Sequence, residues 1–185
     1  MKALISIDYT NDFVADDGAL TAGKPAQNLH AKILELTKQA TEQQDFVVYA
    51  IDRHTIGDEY HPESRLFPAH NLAGTNGRQL FGALQAYYEK TADQANVYYM
   101  DKRHYSAFAG TDLDLRLRER KITEITLVGV CTDICVLHTA IDAYNLGYQI
   151  NVPEAAVASF DAAGHAWALQ HLKNTLGANI IEEND

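Results

Sequence analysis

Short, almost uninterrupted apolar runs alternate along this chain with longer stretches whose apolar residues recur at helical spacing. Residues 2–8, 46–52, 97–102, 124–130 and 148–152, with a weaker run near 179–181, read as strands. Between them, residues 25–43 place Leu29, Ile33 and Leu36 at helical spacing behind a first-turn Pro25. Further helices are predicted over 82–90, over 112–120 with Thr111 as N-cap, over 133–146 ending at Gly147, and over 160–176 ending at Gly177. A strand that is apolar at consecutive positions has no face to give to water, so its sheet must be covered on both sides. Strand-to-helix alternation supplies that cover when the strands run parallel. The predicted class is therefore α/β, with helices on both faces of a parallel sheet.

Composition enters at a few points. At 185 residues, with no repeat, low-complexity tract or linker to divide it, the chain is expected to form one domain over 1–185. Its 25 acidic against 15 basic residues give a formal charge of -10, which speaks against a nucleic-acid partner, since such partners need a basic face. No apolar run reaches membrane-spanning length, and the run after Met1 and Lys2 lacks a signal peptide's cleavage pattern. Cys131 and Cys135 lie too close together to staple distant loops, so they read as reduced, cytoplasmic thiols.

The informative residues sit where the strands end. Asp8 closes the first, Asp52 and His54 the second, Lys102 the third, and Cys135 follows the fourth. In an open parallel sheet ligands bind outside the carboxyl ends of the strands, so these groups converge on one crevice. Each alone has a plainer reading, as a turn residue, a surface lysine or a small buried hydrophobe. Together they suggest a nucleophilic centre. Thr132 is placed to cap a helix whose first turn holds Cys135, where the positive end of the helix favours a thiolate. The backbone N–H groups of Cys131 and Cys135 could hold an oxyanion. Asp8 would accept the thiol proton and Lys102 would stabilise the thiolate, with His104 an alternative base.

A second group surrounds the long irregular stretch 53–78, which carries His54, His61 and His70. Asp52 and His54 are two apart on an extended chain and leave one face; Glu63 and His70 can fold back to meet them. Two carboxylates and two imidazoles suit zinc, iron or manganese, although histidine-bearing loops also merely pack. Phe13, Phe67 and Tyr105 neighbour these groups and could form a slot for a flat ring.

The ordered blocks Ala3-Leu4-Ile5-Ser6-Ile7-Asp8 with Asn11-Asp12-Phe13, Asp52-Arg53-His54, His61-Pro62-Glu63 through His70, Lys102-Arg103-His104-Tyr105-Ser106-Ala107-Phe108 and Gly129-Val130-Cys131-Thr132-Asp133-Ile134-Cys135-Val136 cover nearly the whole chain. In these the sequence resembles the isochorismatase-like cysteine hydrolases, the nicotinamidases most closely. The resemblance implies a three-layer α/β/α fold on a six-stranded, mainly parallel sheet, with a cis peptide at Val130–Cys131. It implies an Asp8–Lys102–Cys135 triad and one divalent metal, zinc ahead of iron or manganese, held by Asp52, His54 and His70 with Glu63 ligating directly or through water. The reaction implied is hydrolysis of nicotinamide, or a related aromatic amide, to the acid and ammonia in NAD salvage, by a homodimer or homotetramer. Cys131 departs from the small or aliphatic residue of many relatives. Carbamoyl or ureido amidohydrolases keep the triad but generally lack the metal group, and a non-catalytic binding member is the reading from a different class.

Overall fold

The computed structural model describes residues 1–182; the last three positions of the domain expected over 1–185 lie outside them. In chain order the elements are β1 (Ala3–Ile7), α1 (Asn11–Val14), α2 (Lys24–Gln27), α3 (His30–Glu42), β2 (Phe46–Asp52), α4 (Ala83–Thr91), β3 (Val97–Lys102), α5 (Leu113–Glu119), β4 (Glu124–Val130), α6 (Leu137–Asn145), β5 (Gln149–Pro153), β6 (Val157–Ala158), α7 (Ala162–Leu176) and β7 (Asn179–Ile181). The strands form one sheet in the order β3-β2-β1-β4-β5-β7, with β6 added beside β4, and all the pairings are parallel.

Every residue of β1 and β2 is buried, which is why their sequences show no alternation. Successive side chains part to opposite faces. Ile5, Ile7, Val48 and Leu127 pack with Leu113, Ala140 and Leu172 from α5, α6 and α7. Leu4, Val47, Tyr49 and Val128 pack with Ala26, Ile33 and Leu84 from α2, α3 and α4. The result is the expected three-layer arrangement. The sheet has seven strands rather than six, because the two-residue β6 pairs with Gly129 and Val130. A pair of residues is too short to show a strand period, so no sequence signal marks it.

The helices differ from their predicted spans, the one over 133–146 beginning only at Leu137 and that over 82–90 running Ala83–Thr91. The helix over 25–43 is split, since the Leu29 N–H bonds back to Ala26 at 3.2 Å and tightens the chain between α2 and α3. The helix over 112–120 starts at Leu113 behind Asp112, with the Thr111 hydroxyl 3.3 Å from the Leu113 N–H. The helix over 160–176 starts at Ala162, because Asp161 takes the capping position and accepts from the Ala163 N–H at 3.0 Å. Gly177, at φ +64, closes it in the left-handed conformation that suits glycine.

Candidate active site and cation cluster

The register of the sheet brings the strand ends together. Ile7 lies level with Ala50 on one side and Gly129 on the other, and Asp52 pairs with Lys102. Asp8 follows β1 with a left-handed backbone, φ 51, which lifts its side chain over the sheet edge. One carboxylate oxygen accepts from the Asp52 N–H at 2.7 Å. The other meets Lys102 Nζ at 2.8 Å. Lys102 Nζ also donates to the His104 carbonyl at 3.2 Å and lies 3.7 Å from Cys135 Sγ. Asp8, Lys102 and Cys135 are all buried, so their charges act on one another with little solvent screening.

Cys135 reaches this point by an unexpected local route. The Val130–Cys131 peptide is cis, and Thr132–Val136 form a π-helical turn ahead of α6. The Cys131 carbonyl accepts from the Ile134 and Val136 N–H groups, both at 3.1 Å. Cys131, not Thr132, holds the cap position, and no side-chain cap bond forms there. The Thr132 hydroxyl instead pairs with His165 Nδ1 at 2.8 Å, because the wider turn draws it into the helical segment.

Burial pushes the Asp8 carboxyl above its ordinary range, against the opposing charge of Lys102. It does the same to the Cys135 thiol, again against Lys102, while the neighbouring Asp8 adds to the rise. Lys102 moves up despite its own burial, because Asp8, Cys135 and Asp52 all favour its charged form. Burial thus favours the protonated thiol and makes the Asp8 carboxylate more basic than usual, beside a lysine held in its charged form. That is the state a nucleophile needs if its proton is to leave as it attacks.

Asp52, His54, Glu63 and His70 are all buried, and one donor atom of each lies within 4.8 Å of the others. His54 Nε2 is 2.7 Å from Asp52 Oδ2, while His70 Nε2 is 3.6 Å from Glu63 and 3.7 Å from Asp52, beyond hydrogen-bonding distance. His70 Nδ1 is 2.8 Å from the Pro68 carbonyl, which can only accept, so the proton sits on Nδ1 and the lone pair on Nε2. Burial raises the Asp52 carboxyl but Lys102, His54 and His70 outweigh it and hold it well below the usual range. Burial and the charge of Asp52 push Glu63 up to about 7. Buried Glu63 Oε1 and His70 Nε2 have no hydrogen-bond partner. Orphaned acceptors facing one point are costly unless a cation occupies it, so the group fits a divalent metal.

Sequence reasoning named His61 but gave it no role in the site; it is also buried, and its ring lies tilted against that of His54 with 3.8 Å between centroids. Its Nδ1 accepts from the Glu63 N–H at 3.3 Å, so Nε2 carries the proton and offers no lone pair. Burial, then the charge of His54, lowers it to about 4. His104, the alternative base, has an exposed side chain and contributes its carbonyl instead.

Phe13, Phe67 and Tyr105 do line one cavity, together with Glu63, Cys131 and Cys135. Phe13 meets the His70 ring edge-on at 5.1 Å. Leu20, Ile134 and Phe160 complete the walls, and none of the three carries a polar group that a sequence search would select. The room between these walls for a water centre is about 10 Å³, enough for one water. Larger cavities of about 280 and 380 Å³ adjoin it, both sharing Glu63 as a wall.

An isochorismatase domain matches residues 2–185. The chain belongs to the isochorismatase family. It is 59% identical to a family member from Bacillus subtilis (strain 168), PncA, over 98% of this chain and 99% of that one. The crystal structure of nicotinamidase/pyrazinamidase PncA from Bacillus subtilis superposes with a TM-score of 0.97 at 57% identity, covering 98% and 100% of the two chains. That of the pyrazinamidase of Pyrococcus horikoshii in complex with zinc gives 0.83 at 26% identity, covering 98% and 99%. Among the described residues no helix is long and apolar enough to cross a membrane.

Proposed function

We propose that the chain is a nicotinamidase that hydrolyses nicotinamide to nicotinic acid and ammonia through a cysteine thioester. The observation that carries this reading is the direct link between the two groups. Asp8, beside the thiol, accepts a hydrogen bond from the backbone of Asp52, the first member of the cation cluster. A ring nitrogen and an exocyclic amide on one flat substrate are spaced to engage two adjacent centres, and aromatic walls suit the ring between them. The PncA and pyrazinamidase relatives support the same substrate class.

The steps follow from the chain's own groups. Cys135 Sγ attacks the amide carbon as its proton passes to Asp8, and Lys102 steadies the developing thiolate. The N–H groups of Cys131 and Cys135 hold the oxyanion. The C–N bond then breaks, Asp8 returns the proton to departing ammonia, and an acyl thioester is left. Asp8 next takes a proton from a water that attacks the thioester, releasing the acid and restoring the thiol. Asp52, His54, Glu63 and His70 would hold a divalent ion, zinc ahead of iron or manganese. Such an ion supplies a Lewis-acid contact for the pyridine nitrogen.

The reading extends to a single cytoplasmic domain serving NAD salvage, assembled as a homodimer or homotetramer; the two free, buried thiols suit a reducing compartment. Ammonia release from nicotinamide tests it. Wild-type turnover that vanishes in Cys135→Ala with the fold intact is the expected result. Turnover retained by Cys135→Ala overturns the nucleophile, and a wild-type chain inert on nicotinamide but active on a carbamoyl amide overturns the substrate.

A further inference from the structure

We infer that Asp12 and Asn71 form a brace that sets both histidines of the cation cluster, with Asp12 as a positioning residue. The inference rests on the reading of Asp52, His54, Glu63 and His70 as a metal site.

Asn71 is the hub. It follows His70 directly, is fully buried, and adopts a left-handed backbone at φ 44, an uncommon state for a residue other than glycine. Its N–H donates to Asp12 Oδ2 at 2.7 Å. Its carbonyl accepts from the His54 N–H at 3.1 Å, and the His54 carbonyl in turn accepts from Ala73 at 2.9 Å. Its side-chain oxygen accepts from the Thr10 hydroxyl at 2.8 Å. One residue therefore touches His70 through the chain and His54 through a hydrogen bond, and each of its own polar backbone atoms is held.

Asp12 anchors the hub to the sheet edge. It lies in α1, the first element after β1, and its other carboxylate oxygen accepts from the Ala19 N–H at 3.3 Å. Gly77 packs against the carboxylate so tightly that a Cβ there would come within 2.3 Å of both oxygens, so the side chain has one seat. The next residue, Phe13, sets its ring edge-on to His70. Asp12 thus fixes the backbone behind His70 while Phe13 fixes the ring. Only a carboxylate presents acceptors alone to the two N–H groups; an amide would turn a donor toward one of them.

Groups that orient metal ligands from behind commonly change metal affinity by about 10- to 100-fold when removed. The brace makes that expectation specific to Asp12. Zinc affinity of the full chain, measured by competition with a chromogenic chelator, is expected to fall by roughly that factor in Asp12→Ala and in the isosteric Asp12→Asn. Asn71→Gly keeps the left-handed backbone and both backbone hydrogen bonds, so it is expected to stay within about threefold of wild type. Thermal melting of the metal-free proteins separates this role from a merely structural one, because a generic loss of stability lowers the melting temperature without touching zinc affinity. Asp12→Asn binding zinc as wild type does overturns the brace, whatever its melting temperature. Asn71→Gly losing as much affinity as Asp12→Ala overturns the backbone route. A wild-type chain that binds no zinc, iron or manganese overturns the metal reading itself, and the brace with it.

Discussion

Replacing Lys102 with methionine removes a cation that Asp8, Asp52 and Cys135 share. The methionine keeps most of the buried volume, so the change is nearly electrostatic. Lys102 is 1% exposed and sits 2.8 Å from Asp8, a fully buried pair. Breaking such a pair from one side costs about 3–5 kcal/mol, because an uncompensated charge is left behind. In a chain of this size each kcal/mol moves Tm by about 2–4 °C, so a fall of roughly 6–20 °C is expected. The chemical effect is worked separately. At the observed 3.7 Å between Nζ and Sγ, and an effective dielectric of about 20, a lysine steadies a thiolate by about 4 kcal/mol. That is roughly a thousandfold in kcat for ammonia release. The pH dependence has a definite sign. Burial already raises Asp8, and Lys102 opposes that rise, so losing the lysine raises it further. A carboxyl raised in the folded state favours folding at low pH and disfavours it as pH climbs. The Tm deficit of Lys102→Met should therefore be smaller near pH 5 than near pH 8. A variant melting within about 2 °C of wild type at both pH values, or turning over within about tenfold, refutes the electrostatic account.

Further outcomes follow from other parts of the site. Complete metal removal by chelator should suppress nicotinamide hydrolysis and zinc should restore it; activity that survives demonstrably metal-free conditions contradicts the role given to the cation cluster. Cys131→Ser should keep turnover within about threefold, since only the Cys131 backbone is assigned a task; a loss above tenfold in steady-state rate assigns the side chain a role. Gly129→Ala should cost more than about 3 kcal/mol in chemical denaturation, because its φ is +111 and a Cβ would stand 2.1 Å from the Ile7 carbonyl oxygen, a backbone atom with nowhere to retreat; near-wild-type stability means the β1–β4 edge is looser than described.

Much of this architecture is legible in the chain because burial on both faces leaves a plain mark. An apolar run that stops at a charge locates a strand and its functional end together, and Asp8, Asp52 and Lys102 all stand at such stops. What escaped depends on contacts distant in sequence. Nothing in the residues around Cys135 announces a π-helical turn, since that turn follows from which N–H groups reach the Cys131 carbonyl. His61 and His70 look alike in sequence; they part only because one ring nitrogen faces a backbone N–H and the other a backbone carbonyl. Phe160 reaches the cavity from the end of the two-residue β6 beside β4, and an aromatic residue before a helix gives no hint of that destination.

The near-absence of free space beside Cys135 has a consequence in time as well as in shape. For as long as the chamber stays this narrow, a pyridine ring enters only when a wall moves, and Phe160, 46% exposed, is the most exposed residue that lines it. Capture is then gated. The association rate constant becomes the encounter rate multiplied by the fraction of time the chamber stands open, and apparent affinity is reduced by that same fraction. Substitutions that shrink Phe160 should speed both arrival and departure while leaving the reacting groups in place. The enzyme's selectivity among flat amides would thus be written partly in dwell time, and a slow-binding inhibitor would be one that closes the wall behind it.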